Sequence, residues 1–155
     1  MSDLDKMLIT FGLTIFGGLL IHIFSQIFIK IFLEPCVEYK KCRSDVITYL
    51  TFYSNIFDSK LQHDDNDAYK LRYSKAKDDI RLSMAKYRAS YSSIYPVFVA
   101  RLLKIVPNEE ENNTIIDNLL TLSLLGEFKT EGDKLFANTR LAKKTLILLG
   151  VKEVK

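Results

Sequence analysis

Residues 7–29 have the sequence MLITFGLTIFGGLLIHIFSQIFI, which contains no Asp, Glu, Lys or Arg. At a rise of about 1.5 Å per residue, roughly 20 apolar residues allow a helix to cross the hydrocarbon core of a bilayer. A lone segment satisfies its own backbone groups in lipid only as a helix. The stretch therefore predicts one N-terminal transmembrane helix, with residues 1–33 as the anchor.

The residues on either side of this stretch predict its orientation. Only Lys6 precedes the span, whereas four basic residues follow it closely: Lys30, Lys40, Lys41 and Arg43. Positive residues stay on the cytoplasmic side, so the C-terminal domain is expected in the cytoplasm. The acidic start of the chain and the length of the apolar run do not fit a cleavable signal peptide.

One face of the predicted span carries small and hydrogen-bonding residues. Thr14, Gly18, His22 and Ser25 fall within about 80° of arc on a helix. Such stripes mediate helix association in lipid, and a histidine inside a membrane is costly unless it is paired or faces a cavity. The stripe predicts an oligomer seam, with a pore lined by His22 and Gln26 as one possible form. The alternative is a lone tether.

The chain after the span predicts one cytosolic helical domain over residues 34–155. Glu34-Pro35 is expected to end the span and to start a new helix, because proline suits a first turn and disfavours continuation. Apolar residues then recur at mostly helical spacing, and strand-like alternation is rare. The fold class is therefore predicted as all-α.

Helix boundaries within the domain follow from this spacing and from Pro, Gly and polar clusters. After the first helix, which ends near Asp58, the predicted helices cover residues 68–92, 97–106, 114–125 and 131–149. The polar segment 58–67 and the acidic run from Pro107 to residue 113 are predicted loops. Thr114 is expected to cap a helix, and Gly126 and Gly150 to end helices.

Charge is segregated along the domain. Residues 67–104 contain nine basic and three acidic side chains, whereas residues 105–127 contain five acidic side chains and no Lys or Arg. On the long predicted helix a line of aromatic and aliphatic residues lies beside a line of cations. Rings can stack on bases, and guanidinium groups bind phosphates. The pattern predicts a nucleotide-binding site formed by Lys77, Arg81, Arg88, Tyr91, Tyr95, Arg101 and Lys104.

The same pattern has two other interpretations. An aromatic stripe is often part of a core, and its basic border is then a solvated face. A basic juxtamembrane domain can also simply attract anionic lipid.

The sequence shows no apparatus for catalysis or metal binding. The histidines are His22 in the span and His63 in a predicted loop, and no phosphate-loop, nucleophile or metalloprotease motif occurs. Cys36 and Cys42 do not have zinc-site spacing and are expected as reduced thiols. We expect a protein that is not an enzyme, with no catalytic residues, no metal and no cofactor.

Two motifs carry a resemblance to known proteins. Phe32-Leu33-Glu34-Pro35, followed by Leu50-Thr51-Phe52-Tyr53-Ser54-Asn55, resembles a widespread group of small bacterial membrane proteins. That group continues with a basic helix, a Tyr-Pro break and a Leu-rich helix, which look like Leu71-Arg72, Ile94-Tyr95-Pro96 and Leu119 to Leu125 here. The Leu-rich part departs from the small polar Leu-Ser-Asn segment that is usual in the group.

Within that group, the single anchor and basic helical domain look most like a membrane effector of type III CRISPR defence. The resemblance implies a protein of the bacterial inner membrane whose cytosolic domain binds cyclic tetra-adenylate made on phage detection. It also implies homo-oligomerisation and damage to the membrane barrier. A tetramer is favoured, since symmetric copies naturally surround a symmetric ligand. Duplex nucleic acid is not an expected partner.

Two other functions stay open. One is a non-enzymatic, membrane-tethered scaffold whose helical domain docks a protein partner. The other is a constitutive small membrane toxin, which would harm the cell without an activator. Binding of small oligoadenylates separates the first of these from the messenger hypothesis.

Overall fold

A computed structural model describes residues 3–57, 67–124 and 133–151, with the backbone alone for residues 133–136. All regular structure in these residues is helical, which confirms the predicted all-α class. Of the loop predicted over residues 58–67, residues 58–66, which include His63, lie outside the described residues, as does Gly126. In order, the elements are α1 (Asp3–Phe28), a π-helical turn (Ile29–Leu33), α2 (Glu34–Phe52), α3 (Ser54–Phe57), α4 (Asp67–Ser92), α5 (Val97–Leu102), α6 (Glu109–Ser123) and α7 (Asp133–Leu148).

The first three elements form one continuous helix from Asp3 to Phe52. Its 50 residues extend over about 75 Å at the usual helical rise. Among the described residues it is the one helix long and apolar enough to cross a membrane, and none of its apolar window is buried. Leu, Ile and Phe side chains are exposed all around α1, as is typical of a segment that faces lipid.

The prediction that Glu34-Pro35 separates two helices is wrong, because the helix continues through both residues. Proline lacks an N–H and crowds the carbonyl four residues earlier. The preceding turn is π-helical, and the N–H of Glu34 bonds to the carbonyl of Ile29. A widened turn of this kind accommodates the proline without ending the helix. The predicted span and the first helix of the domain therefore share one backbone.

Four helices enclose the core of the domain. α2 packs on α4, α4 on α6 and α6 on α7, and α7 contacts α2 and α3. α4 runs antiparallel to α2, because Tyr39 near the start of α2 meets Tyr87 near the end of α4, whereas Phe52 lies beneath Arg72. The fully buried side chains come from each part of this bundle: Tyr39, Val46, Leu50, Ile80, Tyr87, Ile115, Leu119, Leu122 and Leu149.

The core begins before residue 34. Phe32 is 4% exposed and belongs to the same buried cluster as Ile94 and Ala100. Cys36 and Cys42 are buried and free. The last turn of the predicted anchor therefore takes part in the packing of the domain.

The predicted start of α6 at Thr114 is wrong. The helix begins at Glu109 and Thr114 lies inside it. The side chain of Asn108 accepts from the N–H of Glu111 at 2.8 Å, and the Glu111 carboxylate accepts from the N–H of Asn108 at 3.2 Å. This capping box satisfies N–H groups that the helix leaves unpaired. Because carboxylates also favour the positive end of a helix, the acidic run forms the first turn rather than a loop.

Other boundaries agree more closely with the prediction. α4 begins one residue earlier than predicted and ends at Ser92 as predicted. Gly150 follows α7 with a φ of +76°, which confirms it as a helix end. α5 ends at Leu102 rather than at Val106, because the chain turns at Lys104, where φ is +54°.

Candidate functional site

A row of aromatic and cationic side chains joins α2, α4 and α5. The hydroxyls of Tyr39 and Tyr87 lie 3.1 Å apart, and both residues are fully buried. Tyr91, one turn further along α4, meets the ring of Tyr39 edge-on at 6.1 Å between centroids. The Tyr91 hydroxyl accepts a hydrogen bond from Nη2 of Arg101 at 3.0 Å. α5 is thereby tied to the paired helices α2 and α4.

Beside this row lies a cleft of about 400 Å³. Its walls come from α2, from the connection between α5 and α6, and from the end of α7. Arg43, Arg101 and Lys104 line it together with Tyr39. Because Arg43 from α2 converges on one concavity with Arg101 and Lys104 from a distant part of the sequence, the cleft is suited to an anionic ligand.

Arg43 is held by the end of α7. Its guanidinium donates to the backbone carbonyl of Leu149 through Nε at 2.9 Å and also through Nη2. A Cβ added at Gly150 would lie 2.5 Å from Nη2 of Arg43. The glycine therefore serves both the positive φ of the turn and the close approach of the arginine. A guanidinium carries five N–H donors, so Arg43 keeps donor capacity for a ligand in the cleft.

Arg101 and Lys104 supply the other positive charge. The hydrogen bond to the Tyr91 hydroxyl raises the pKa of Arg101, and nearby Glu109 acts in the same direction. The buried Nε of Arg101 has no hydrogen-bond partner in the part of the chain that the structure describes. Lys104 is exposed, and its side chain makes no ion pair or hydrogen bond within the described ranges. Among the described residues, the site thus combines a buried N–H of Arg101 that has no acceptor with an ammonium group of Lys104 that has no carboxylate partner.

Acidic side chains limit the positive charge of the cleft without cancelling it. Glu111 is on the wall of the cleft but is engaged in the capping box with Asn108. Glu109 lies 3.5 Å from Nη2 of Arg101 and is 74% exposed. The carboxylates therefore orient Arg101 and the start of α6, while Arg43 and Lys104 keep their charge free of carboxylate partners among the described residues.

The structure brings three of the seven predicted nucleotide-binding residues together at this cleft. Arg101 and Lys104 line it, and Tyr91 lies behind Arg101 and bonds to it. Tyr91 is half-buried against Tyr39, so its hydroxyl positions Arg101 while its ring packs in the bundle.

The other four predicted residues lie away from the walls of the cleft. Lys77, Arg81 and Arg88 follow one row along α4, and Lys77 is about 21 Å from Tyr91 along the helix axis. Tyr95 is 72% exposed in the connection between α4 and α5, before a cis peptide bond. The row on α4 and the cleft are therefore two surfaces, and Arg88 is the member of the row that lies nearest to Tyr91 along the helix.

Sequence reasoning missed Arg43 as a site residue. In the sequence it belongs to the basic cluster after the span, where positive charge also sets membrane orientation. Its contact with Leu149 joins positions 106 residues apart. No local pattern signals such a contact, although the glycine that follows Leu149 marks the place where the chain turns.

The four residues of the predicted seam, Thr14, Gly18, His22 and Ser25, are all exposed on α1. The hydroxyls of Thr14 and Ser25 each donate at 2.8 Å to the carbonyl four residues earlier. Nothing lies within 4 Å of the position that a Cβ of Gly18 would take. This face is open to a neighbouring helix, and its role as an oligomer seam stays a prediction.

No known protein family, curated protein or solved structure matches this chain. Within the described ranges, no group of three or more His, Cys, Asp or Glu side chains is placed to hold a metal ion. The expectation of a non-enzymatic protein and the resemblance to CRISPR effectors stay predictions.

Proposed function

We propose that the protein is a membrane-anchored effector of antiphage defence whose cytosolic domain binds a cyclic oligoadenylate, with cyclic tetra-adenylate as the favoured ligand. The observation that carries this proposal is the convergence of Arg43, Arg101 and Lys104 on one cleft. A ring of nucleotides presents several phosphates, which fixed cations bind through charge-assisted hydrogen bonds. The cleft supports an anionic ligand, and the resemblance to type III CRISPR effectors supplies the identity of that ligand.

The proposed setting is the bacterial inner membrane, with the helical domain in the cytoplasm. The exposed apolar surface of α1 supports a transmembrane position. The basic residues that follow the span support a cytoplasmic domain. The protein would act as a homo-oligomer, with a tetramer favoured, and would associate in the bilayer through the stripe that includes Gly18 and His22.

The continuous helix suggests how binding would reach the membrane. Arg43 lies on α2, which shares one backbone with α1. A ligand changes the arrangement of a protein only when it binds one arrangement better than another. Phosphates that bind the remaining donors of Arg43 act on the side chain that holds α2 to Leu149 at the end of α7. A shift of Arg43 toward the ligand would change how α2 packs against α7, and with it the position of α1, and so open the membrane barrier.

The first experiment is a calorimetric titration of the full-length protein in lipid nanodiscs. The ligands are cyclic tetra-adenylate, its linear form and smaller cyclic adenylates. Selective binding of the larger ring is the expected result. Absence of binding by all of them would overturn the messenger hypothesis and leave a membrane-tethered helical interaction domain as the better account.

A charge-removal variant tests whether the cleft is the site. Lys104→Asn removes the ammonium group, and asparagine tolerates the positive φ at this position. Loss of one hydrogen bond to a charged group costs about 1.5–3 kcal/mol, so the affinity should fall roughly tenfold to a hundredfold. Lys86→Asn, which removes an exposed lysine of α4 that does not line the cleft, is the matched control.

A second variant tests the row of cations on α4. Arg81→Ala combined with Arg88→Ala leaves the lining of the cleft unchanged. Weak binding in this variant, together with normal binding in Lys104→Asn, would place the ligand on α4 instead of in the cleft.

A further inference from the structure

Large apolar side chains are exposed on and beside α5. Tyr95, Phe98 and Leu102 are 72%, 69% and 79% exposed, and Leu103 beside them is 58% exposed. A spacing of four residues places Phe98 and Leu102 on one side of α5, and Tyr95 is exposed in the turn that precedes this helix. Ala100, between them in sequence, is fully buried. We call Tyr95, Phe98, Leu102 and Leu103 the α5 face.

The register of α2 against α4 places this face at the end of the bundle that adjoins the last residues of the span. Tyr39 and Tyr87 fix the register through their hydroxyl contact. From Tyr39 back to Lys30 the helix covers roughly 14 Å. From Tyr87 forward to Ser92, where α4 ends, the chain covers roughly 8 Å in the same direction in space. The segment that leads into α5 therefore starts close to the level of the last residues of the span.

The burial of Phe32 supports the same placement. Ile29 is the last residue of the uncharged stretch, and Phe32 follows it within one turn. Phe32 is buried in one cluster with Ile94 and Ala100, whereas the side chains before it on α1 are exposed. The domain thus reaches the long helix at this turn. With α1 across the bilayer, the α5 face stands at the depth of the lipid headgroups.

Charged residues of both signs lie at this end of the domain. Exposed cations are at Lys30, Arg88 and Lys104, and exposed carboxylates are at Glu34, Glu38, Glu109, Glu110 and Glu111. Glu109 is already paired with an arginine. Exposed aromatic and leucine side chains next to lysine and arginine are typical of segments that lie in a membrane interface. The cytoplasmic leaflet carries the anionic lipid that such cations attract.

We propose that the α5 face inserts into the headgroup region of the cytoplasmic leaflet, and that the protein thereby contacts an anionic phospholipid bilayer at a second site besides its transmembrane helix. This inference rests on the transmembrane position of α1 in the proposed function, but it does not depend on nucleotide binding. Arg101 and Lys104 belong to the same chain segment as the α5 face and also line the cleft. The membrane contact therefore turns the α5 side of the cleft toward the bilayer surface.

Tryptophan fluorescence tests the inference in the full-length protein, because the chain contains no tryptophan of its own. Phe98→Trp places a single probe on the α5 face. Leu71→Trp is the matched control, since Leu71 is 72% exposed near the other end of α4. Phe24→Trp places a probe in the span. Each variant is reconstituted in phosphatidylcholine and phosphatidylglycerol vesicles, with or without acyl chains brominated near the headgroup.

The expected result for Phe98→Trp is a blue-shifted emission that loses intensity with the brominated lipid. This loss should become smaller when phosphatidylcholine replaces all the phosphatidylglycerol. Leu71→Trp should emit as a tryptophan in water and should lose no intensity, because its position is far from the bilayer.

The probe in the span separates failure of this inference from failure of the membrane position itself. Quenching of Phe24→Trp without quenching of Phe98→Trp would keep the transmembrane helix and overturn the α5 contact. A blue-shifted but unquenched Phe98→Trp would mean that protein, such as a second copy of the chain, covers the face, and would also overturn it. No quenching of either probe would overturn the transmembrane position.

Discussion

The hydroxyl pair of Tyr39 and Tyr87 allows a quantitative test of how the bundle is held together. Both residues are fully buried, and their oxygens lie 3.1 Å apart. Desolvation raises the pKa of both side chains, so both are neutral at physiological pH. Tyr87→Phe leaves the Tyr39 hydroxyl buried without a partner. Such a group costs about 1–3 kcal/mol, and we expect the free energy of unfolding to fall by about 2 kcal/mol.

The double variant distinguishes this explanation from a simple sum of two hydroxyl contributions. Tyr39→Phe alone should also cost about 2 kcal/mol, because it strands the Tyr87 hydroxyl in the same way. Replacement of both residues removes the hydrogen bond but leaves no unpaired polar group, so the expected cost is about 1 kcal/mol. The double-mutant cycle should therefore show a coupling of about 3 kcal/mol.

The two cysteines of the chain provide the assay. Cys36 and Cys42 are buried and free, so a maleimide reaches them only when the domain opens. When reclosing is fast, the labelling rate of the protein in nanodiscs is proportional to the equilibrium population of the open form. A loss of about 2 kcal/mol should raise this rate roughly 30-fold. Tyr95→Phe, which removes an exposed hydroxyl, is the control and should leave the rate unchanged.

One result would refute the reasoning. If the double variant accelerates labelling by the product of the two single effects, the hydroxyls contribute independently and the contact between them carries no coupling. Labelling in denaturant sets the intrinsic rate for every variant, so a change in thiol reactivity cannot imitate this outcome.

Three further predictions concern the turn of α6, the end of α7 and alkaline stability. Asn108→Ala removes the capping box and should cost about 1 kcal/mol, seen as faster hydrogen exchange in the first turn of α6; unchanged exchange would contradict it. In Gly150→Ala the new Cβ is strained by the positive φ of the turn and clashes with the guanidinium of Arg43. The free energy of unfolding should therefore fall by more than about 1 kcal/mol, measured as faster cysteine labelling. Burial and Asp79 raise the pKa of Tyr53 from 10.0 to about 12. The contribution of the neutral Tyr53 hydroxyl to the free energy of unfolding is therefore complete below pH 10 and lost as pH rises to about 12. Tyr53→Phe removes this titrating group, so the melting temperature should fall less steeply with rising alkaline pH. An unchanged slope of melting temperature against pH would contradict this.

The accuracy of the sequence-based boundaries depends on how local their signals are. Composition over residues 7–29 is enough to predict the apolar helix, and helical spacing over residues 68–92 is enough to predict α4. The start of α6 also has a local signal, because Asn108 and Glu111 have the spacing of a capping box. The continuation of the helix through Pro35 depends on a π turn that no spacing pattern indicates.

The sequence by itself determined the long apolar helix, the all-α class and the excess of positive charge between residues 67 and 104. Only the tertiary structure decided which cations share a cleft and which tyrosines are core. Arg101 and Arg43 line the same cleft because α4 folds back along α2 and α7 closes the bundle. The same antiparallel packing buries Tyr87 and leaves Tyr95 exposed. Helical spacing defines the sides of each helix, but the register between helices is set by side chains far apart in the sequence.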